Sequence, residues 1–451
     1  MNTYEEQFCF ESNLALNLEN SLHNCFFNFR ESNKFSPDLL SEFISYSKEK
    51  NIDYSFNDDG IYYLDTYSNG TNYYLDIYSG LIYYKDGDNF KIAKGACASK
   101  DYDLIDAAYL RKCLNHPESK RKFLILPNEF YEVTSLDYLG HDLNSIFYEP
   151  ILEYNVSTLQ ELKSLITELS SRLSECKFYK KIWLRGQRQE YTISRSRKTL
   201  ERLGIPMAYS TMPSLIPSLG RQIDSEHYNE FHNSNMLWEK AFRVWALCKC
   251  EDFKKYFVGS KLYNELIKHI DPEGMTKIIY NSEYDLSEIL FSNGSITNDA
   301  TLAMQQYGGL TSVLDITDDL DVALFFTQSF LNTETKRFEL CEPNRNSIIY
   351  IFAQNTNSST VNLSTDLFNY SSILYDLKVP KRILNQKCGI LRGANVFAQN
   401  NYGYRVIAKI NLTSANIYTN KTVEEMFPNV DEDDLFKVFS DAIPTLKGLY
   451  G

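Results

Sequence analysis

No apolar run in this chain of 451 residues approaches the roughly 20 positions that a membrane-crossing helix needs. The opening stretch, Met1 to Cys9, is acidic where a secretory signal is basic and then apolar, so export is not expected. Nine cysteines, an odd number, are scattered along the chain, and the close pair Cys248-Lys249-Cys250 lacks a second pair at zinc-finger spacing. Six histidines are equally dispersed; His227 and His232, five apart, fall on different faces of a helix. Free thiols in a reducing cytoplasm and no metal site are the expectations. There is also no internal repeat, no glycine-rich phosphate loop and no Gly-x-Ser-x-Gly elbow.

Positive charge is the scarcer sign. Against 59 acidic residues stand 46 Lys and Arg, a net −13, which argues against nucleic-acid binding by the whole surface. The exception is local. Between Arg172 and Arg202 lie Lys177, Lys180, Lys181, Arg185, Arg188, Arg195, Arg197 and Lys198, against Glu175, Glu190 and Glu201. Either a solvated face or a polyanion site accounts for such a segment.

What is present is ordinary globular material, 43% hydrophobic and 23% charged, unusually rich in Tyr (33) and Phe (28). Helical spacing is clearest early around Leu39, Leu40, Phe43 and Ile44. From Ile52 to Ile92, short aromatic runs alternate with Asn-Gly, Ser-Gly and Asp-Gly turn signals, which predicts an antiparallel meander. A helix follows between Asp103 and Leu114. Residues 1–150 thus read as a small α+β domain without a catalytic grouping, suited to docking a partner through its aromatics or holding the rest of the chain.

A capping box at Thr158 and Glu161 opens a helix ending near Lys177, followed by the strand Ile182-Trp183-Leu184-Arg185-Gly186. Segment 233–305 is mostly amphipathic helix, and Asp321 to Leu331 another. Ser347–Ala353 and Tyr404–Ile410 read as strands. The fold class is α+β, with a mixed α/β second domain over 151–451.

Three polar constellations stand out on apolar ground. In Trp183-Leu184-Arg185-Gly186-Gln187 a guanidinium held against a core needs a partner, either a bidentate diphosphate or a structural carboxylate. Gly186 there permits close approach of a ligand or another backbone. In Gln305-Gln306-Tyr307-Gly308-Gly309 through Leu314-Asp315-Ile316-Thr317, strand alternation puts Asp315 and Thr317 on one face. In Pro380 to Gly389, Arg382 and Gln386 sit among apolar residues.

In this order the stretches resemble the FRG domain family. Its aromatic-x-Arg-Gly-Gln motif is matched at Trp183 to Gln187 and its Pro-Ser-Leu-x-Arg at Pro217 to Arg221. Residues 305–326 follow its Gln-His-Tyr-Gly-Leu-Pro-Thr-Arg-Leu-Leu-Asp-Trp-Thr block and Val-Ala-Leu-x-Phe helix, with Gln306 for His, Leu310 for Pro, Ser312 for Arg and Ile316 for Trp. Arg382 to Gly389 carries its Arg-Ile-x-x-Gln-x-Gly with one residue inserted, and Met426 to Asp431 resembles its closing motif. A more distant resemblance is to ADP-ribosyltransferases of the Arg–Ser–Glu class, in which Arg185, Asp315 to Thr317 and Gln386 occupy the three strand positions.

The resemblance implies an ADP-ribosyltransferase-like fold and NAD as substrate. Arg185 would hold the diphosphate with Gly186, Gln187 and Tyr307 beside it, and Thr317 with Asp315 would fix the nicotinamide ribose. Gln386 replaces the usual glutamate, so Asp315 would supply the negative charge. The implied activity is that of a toxin in a toxin–antitoxin or phage-defence setting, modifying a nucleic acid, RNA slightly favoured, or a protein. An antitoxin or chaperone would dock on residues 1–150, and no membrane is involved. The alternative is a non-enzymatic nucleotide- or polyanion-binding module.

Overall fold

A computed structural model describes residues 6–15, 60–76, 78–93, 102–115, 148–176, 179–217, 241–242, 245, 303–309, 311, 313–332, 334–335, 337–355, 361–363, 379–392 and 400–442. The helical pattern at Leu39–Ile44, most of segment 233–305, Ser218–Arg221, both spaced histidines and the Cys248–Cys250 pair lie outside the described residues.

The aromatic runs form the expected antiparallel meander: β1 (Ile61–Thr66), β2 (Asn72–Asp76), β3 (Ile82–Asp86) and β4 (Asn89–Ile92), neighbours in that order. Gly70 and Gly87, at φ 87° and 63°, take the left-handed conformation that two of its turns require. Alternation sorts the side chains. Tyr73, Leu75 and Ile82 pack on the helical stretch 6–15, whereas Tyr63, Tyr74, Tyr83 and Phe90 pack the opposite way. These tyrosines are buried, so they form cores and not the aromatic docking surface that the sequence suggested.

Helix α1 (Tyr102–Asn115) leads to β5 (Leu152–Val156), α2 (Leu159–Ser174), β6 (Tyr179–Gln187), β7 (Thr192–Ser194), α3 (Arg197–Leu203) and β8 (Thr211–Pro213). Then come β9 (Leu314–Thr317), α4 (Leu320–Gln328), β10 (Ser329–Asn332), β11 (Arg337–Leu340), β12 (Ile348–Asn355) and β13 (Val361–Asn362). Helix α5 (Lys381–Gln386), β14 (Cys388–Leu391), α6 (Asn401–Tyr404), β15 (Ala408–Leu412), α7 (Val423–Met426) and α8 (Asp434–Ala442) complete the order. The central sheet runs β13-β14-β9-β6-β12-β15-β5, antiparallel throughout except for the parallel β15–β5 pair at one edge.

Period two gives this sheet two apolar faces. On one, Leu184, Ile349, Ile351 and Ile410 meet Leu162, Leu169 and Leu173 of α2 and Ala323 and Leu324 of α4. On the other, Trp183, Ile316, Ile348, Tyr350 and Phe352 meet Tyr402 and Val406. Thr158 caps α2 through the reciprocal bond with Glu161, and the Asp319 side chain caps α4 by accepting from Asp321 and Val322 N–H.

Two elements depart from expectation. Helix α4 stops at Gln328, where the strand pairing Ser329 with Leu340 begins, so residues 329–331 are strand. Residues 401–404 are helical, because the Arg405 side chain anchors to Asn401 Oδ1 (2.6 Å) and the Arg392 carbonyl (2.6 Å) and curls the chain; β15 begins only at Ala408.

Packing does not break at residue 150. Ala107 and Leu110 of α1 lie in the core that holds α2 and the central sheet. Buried Arg111 donates to the carbonyls of Glu149 (2.7 Å), Tyr404 (2.8 Å) and Val406 (2.8 Å). Meander residues share a core with Leu200, Tyr209 and Met212. One structure spans the boundary that the sequence suggested.

Candidate functional site

Strands β6 and β9 meet at a single residue pair, Leu184 with Thr317, and diverge beyond it. Where they part lies a cavity of about 260 Å³. β6 lends it Arg185 and Gly186, β9 lends Asp315 and Thr317, and the helical stretch 303–306 lends Gln305 and Gln306. Gln386 and Cys388 come from the α5–β14 junction, and Phe326, Phe338 and Phe427 form an apolar wall. In that wall the Phe338 and Phe427 rings stack, centroids 4.1 Å apart.

Arg185, Asp315, Thr317 and Gln386, far apart along the sequence, thus line one cavity. Their side chains are not equally available. Arg185 Nη1 donates to the main-chain carbonyl of Asp315 at 2.7 Å, bridging the gap between the strands. The Asp315 carboxylate accepts from Gln305 Nε2 at 2.7 Å and from Gln306 Nε2 at 2.5 Å. Burial pushes this carboxyl above the usual range; Arg185 and the two amides pull against that shift without cancelling it. Thr317 Oγ1 donates to the Gln386 carbonyl (2.9 Å) and accepts from Asp319 N–H (3.2 Å), so its hydroxyl ties the strand to α5.

Gln386 is the last residue of α5, not a strand residue, and its Nε2 donates to the Met426 carbonyl at 2.8 Å. Lys387, at φ 43°, turns the chain from that helix into β14. The amide is spent on structure, so Gln386 is poorly placed to take over an acid's role. Gly186 lines the cavity, but its missing side chain serves helix packing: a Cβ there would meet the Ala323 carbonyl oxygen at 1.9 Å. Gln187 and Tyr307 do not line the cavity. Tyr307 is fully buried, donates to Asp433 (2.9 Å) and faces the Arg382 guanidinium, 4.7 Å from its ring centre. A ligand-binding role for either residue has no geometric support.

Part of the basic segment is already partnered within the fold. Arg172 donates to the Leu114 carbonyl, Lys181 binds Asp318 (2.7 Å) and covers Trp183, Arg195 is buried on Asp76, and Arg197 pairs with Glu201 (2.7 Å). That leaves less free charge for a polyanion than the sequence count implies.

In the sequence Gln305, Gln306, Phe326, Cys388 and Phe427 fall within the recognised stretches without a ligand role, and Phe338 carries no signal at all. The Cys388 thiol donates to Gln306 Oε1 at 2.8 Å; burial, and next the Asp315 charge, push its pKa well up, which makes it an inert donor and not a nucleophile. Among the described residues no group of three His, Cys, Asp or Glu side chains could hold a metal ion, and no helix is long and apolar enough to cross a membrane. No family model, curated protein or solved structure matches the chain.

Proposed function

We propose that this cleft binds NAD and that the chain is an ADP-ribosyltransferase-like toxin or effector. The observation that carries the reading is that Arg185 and Asp315, 130 positions apart, line one cavity as its sole cation and sole acid among the described residues. Such a bipolar cleft matches NAD, which carries an anionic diphosphate and a cationic nicotinamide ring. The Arg185 fork suits phosphate oxygens. Asp315 supplies negative charge where the ribose C1′ becomes cationic as nicotinamide leaves. The phenylalanine wall offers ring faces to a flat heterocycle. At about 260 Å³ the cavity lies below the roughly 300–1,000 Å³ of whole-ligand clefts, so it takes the nicotinamide–ribose end.

The acceptor is a nucleic acid, RNA slightly favoured, or a protein, in a toxin–antitoxin or antiviral-defence setting within the cytoplasm. One observation favours the second reading, a non-enzymatic nucleotide-binding module: the amide at Gln386, where the resembling transferases carry glutamate, is bonded to a main-chain carbonyl. Incubating the full chain with labelled NAD, alone and with RNA, DNA and protein fractions, separates the two. Transfer of label that Arg185→Lys abolishes supports the transferase. NAD binding without turnover supports the module, and no NAD binding removes the transferase while leaving a module for another nucleotide or a polyanion.

A further inference from the structure

We propose that Gln305 and Gln306 are positioning residues, which grip the Asp315 carboxylate by both oxygens and fix its direction toward the cleft. The inference deepens the nucleotide reading and rests on it for the purpose of that charge. Its geometry is a chain of donors. The Thr311 hydroxyl donates to Gln305 Oε1, and Gln305 Nε2 donates to Asp315 Oδ2 at 2.7 Å. From the other side the Cys388 thiol donates to Gln306 Oε1 at 2.8 Å, and Gln306 Nε2 donates to Asp315 Oδ1 at 2.5 Å.

An amide can turn end for end, and a carboxylate accepts only from its nitrogen. Here each amide oxygen is engaged by its own donor, so each nitrogen is held on Asp315. Consecutive helical residues point about 100° apart, yet these two converge on one group. The choice of partner matters as much as the grip. Arg185, the cation nearest in the cleft, bonds the main-chain carbonyl of Asp315, while neutral amides bond both carboxylate oxygens. Neutral donors favour the ionised form without cancelling its charge, which leaves that charge for a ligand. The titratable and charged groups facing this arrangement are Arg185 on β6, Cys388 on β14, Asp318 just after β9 and Arg382 on α5, the last donating to the Gln306 main-chain carbonyl at 3.2 Å.

The test is the titration of the Asp315 carboxyl in the full chain, read by infrared difference spectra against an Asp315→Asn partner in each background. Gln306→Leu should move that titration upward by about one pH unit or more, because a hydrogen bond to the charged form is lost. Gln306→His, which keeps a ring N–H donor, should move it far less. Gln305→Leu is read in the same way. An Asp315 titration unmoved in both leucine variants overturns the assignment, as does failure of both to fold, which would make the amides structural. NAD protection of the wild-type chain against thermal unfolding is measured separately. Its absence removes the transferase reading while the carboxyl titration still decides the grip.

Discussion

Arg195 closes on Asp76 across 119 positions of sequence, its Nη2 lying 2.6 and 2.7 Å from the two carboxylate oxygens. Both side chains are buried, at 3% and 0% exposure. Asp76 also accepts from Ser79 Oγ (2.6 Å) and Tyr78 N–H (3.0 Å), and the guanidinium lies over the Tyr78 ring. The pair fastens the meander to the segment after β7.

Removing one partner leaves the other charged and buried. Asp76→Ala should therefore cost about 3–5 kcal/mol in urea unfolding, and the double variant with Arg195→Met should recover part of that loss. A chain beginning at residue 151 loses Asp76 and Arg111 together and should be insoluble. A soluble truncated chain that unfolds cooperatively would show that residues 1–150 are separable after all.

Gly186 makes a sharper demand. An alanine there places a methyl group 1.9 Å from the Ala323 carbonyl oxygen, a backbone atom that can yield only if α4 moves. Overpacking of this kind costs about 1–3 kcal/mol or more. Gly186→Ala should lower the melting temperature by several degrees. An unchanged melting temperature would mean that α4 is free to shift.

Asp315 predicts a dependence on pH. Burial raises its carboxyl above the usual value, so the folded chain holds that proton more tightly than the unfolded chain. Acid therefore favours the fold at this residue, and the contribution is lost as pH rises from about 4 through the raised value. Asp315→Asn escapes that loss. Its amide sets a donor against one of the two glutamine nitrogens, a cost that does not vary with pH, so the sign is read from the slope: wild type should gain on the variant as pH falls toward 4.5, while NAD protection disappears. A stability difference that stays constant between pH 7.5 and 4.5 would mean that the Asp315 carboxyl is not raised.

Gln386→Glu tests whether the glutamate of the resembling transferases can simply be restored. The side chain is 5% exposed and its amide donates to the Met426 carbonyl. A carboxylate there forfeits the donor and faces a carbonyl oxygen, for a loss of about 1–3 kcal/mol. Thermal melts should show it, without gain in NAD turnover. Turnover that rises in a normally melting variant would mean that the Met426 bond is dispensable.

Much of this architecture is legible in residue alternation. The meander, β6 and β12 each bury alternate side chains on distinct faces, which period two announces. Helix α4 is less legible at its end: Phe325, Thr327, Gln328 and Ser329 are all buried, so no polar face marks where helix becomes strand. Residues 404–406 alternate like a strand, and only the contacts of Arg405 with Asn401 and Arg392 bend them otherwise. At the site, Arg185 and Asp315 declare themselves as charges on apolar strands. Tyr307 belongs to the core because Asp433, far along the chain, accepts a hydrogen bond from its hydroxyl. The two glutamines acquire meaning only beside Thr311 and Cys388, a juxtaposition that spacing cannot show.

The single pair joining β6 to β9 makes the central sheet two leaves along one seam. β13, β14 and β9 form one leaf, and β6, β12, β15 and β5 the other. Against the eight pairs that lock β12 to β6, the seam has one pair, with the reach of Arg185 to the Asp315 carbonyl as a strap across it. The cleft lies on that same line, with Arg185 on one leaf and Asp315 on the other, so a ligand that engaged both under the proposed reading would act as a rivet between the leaves.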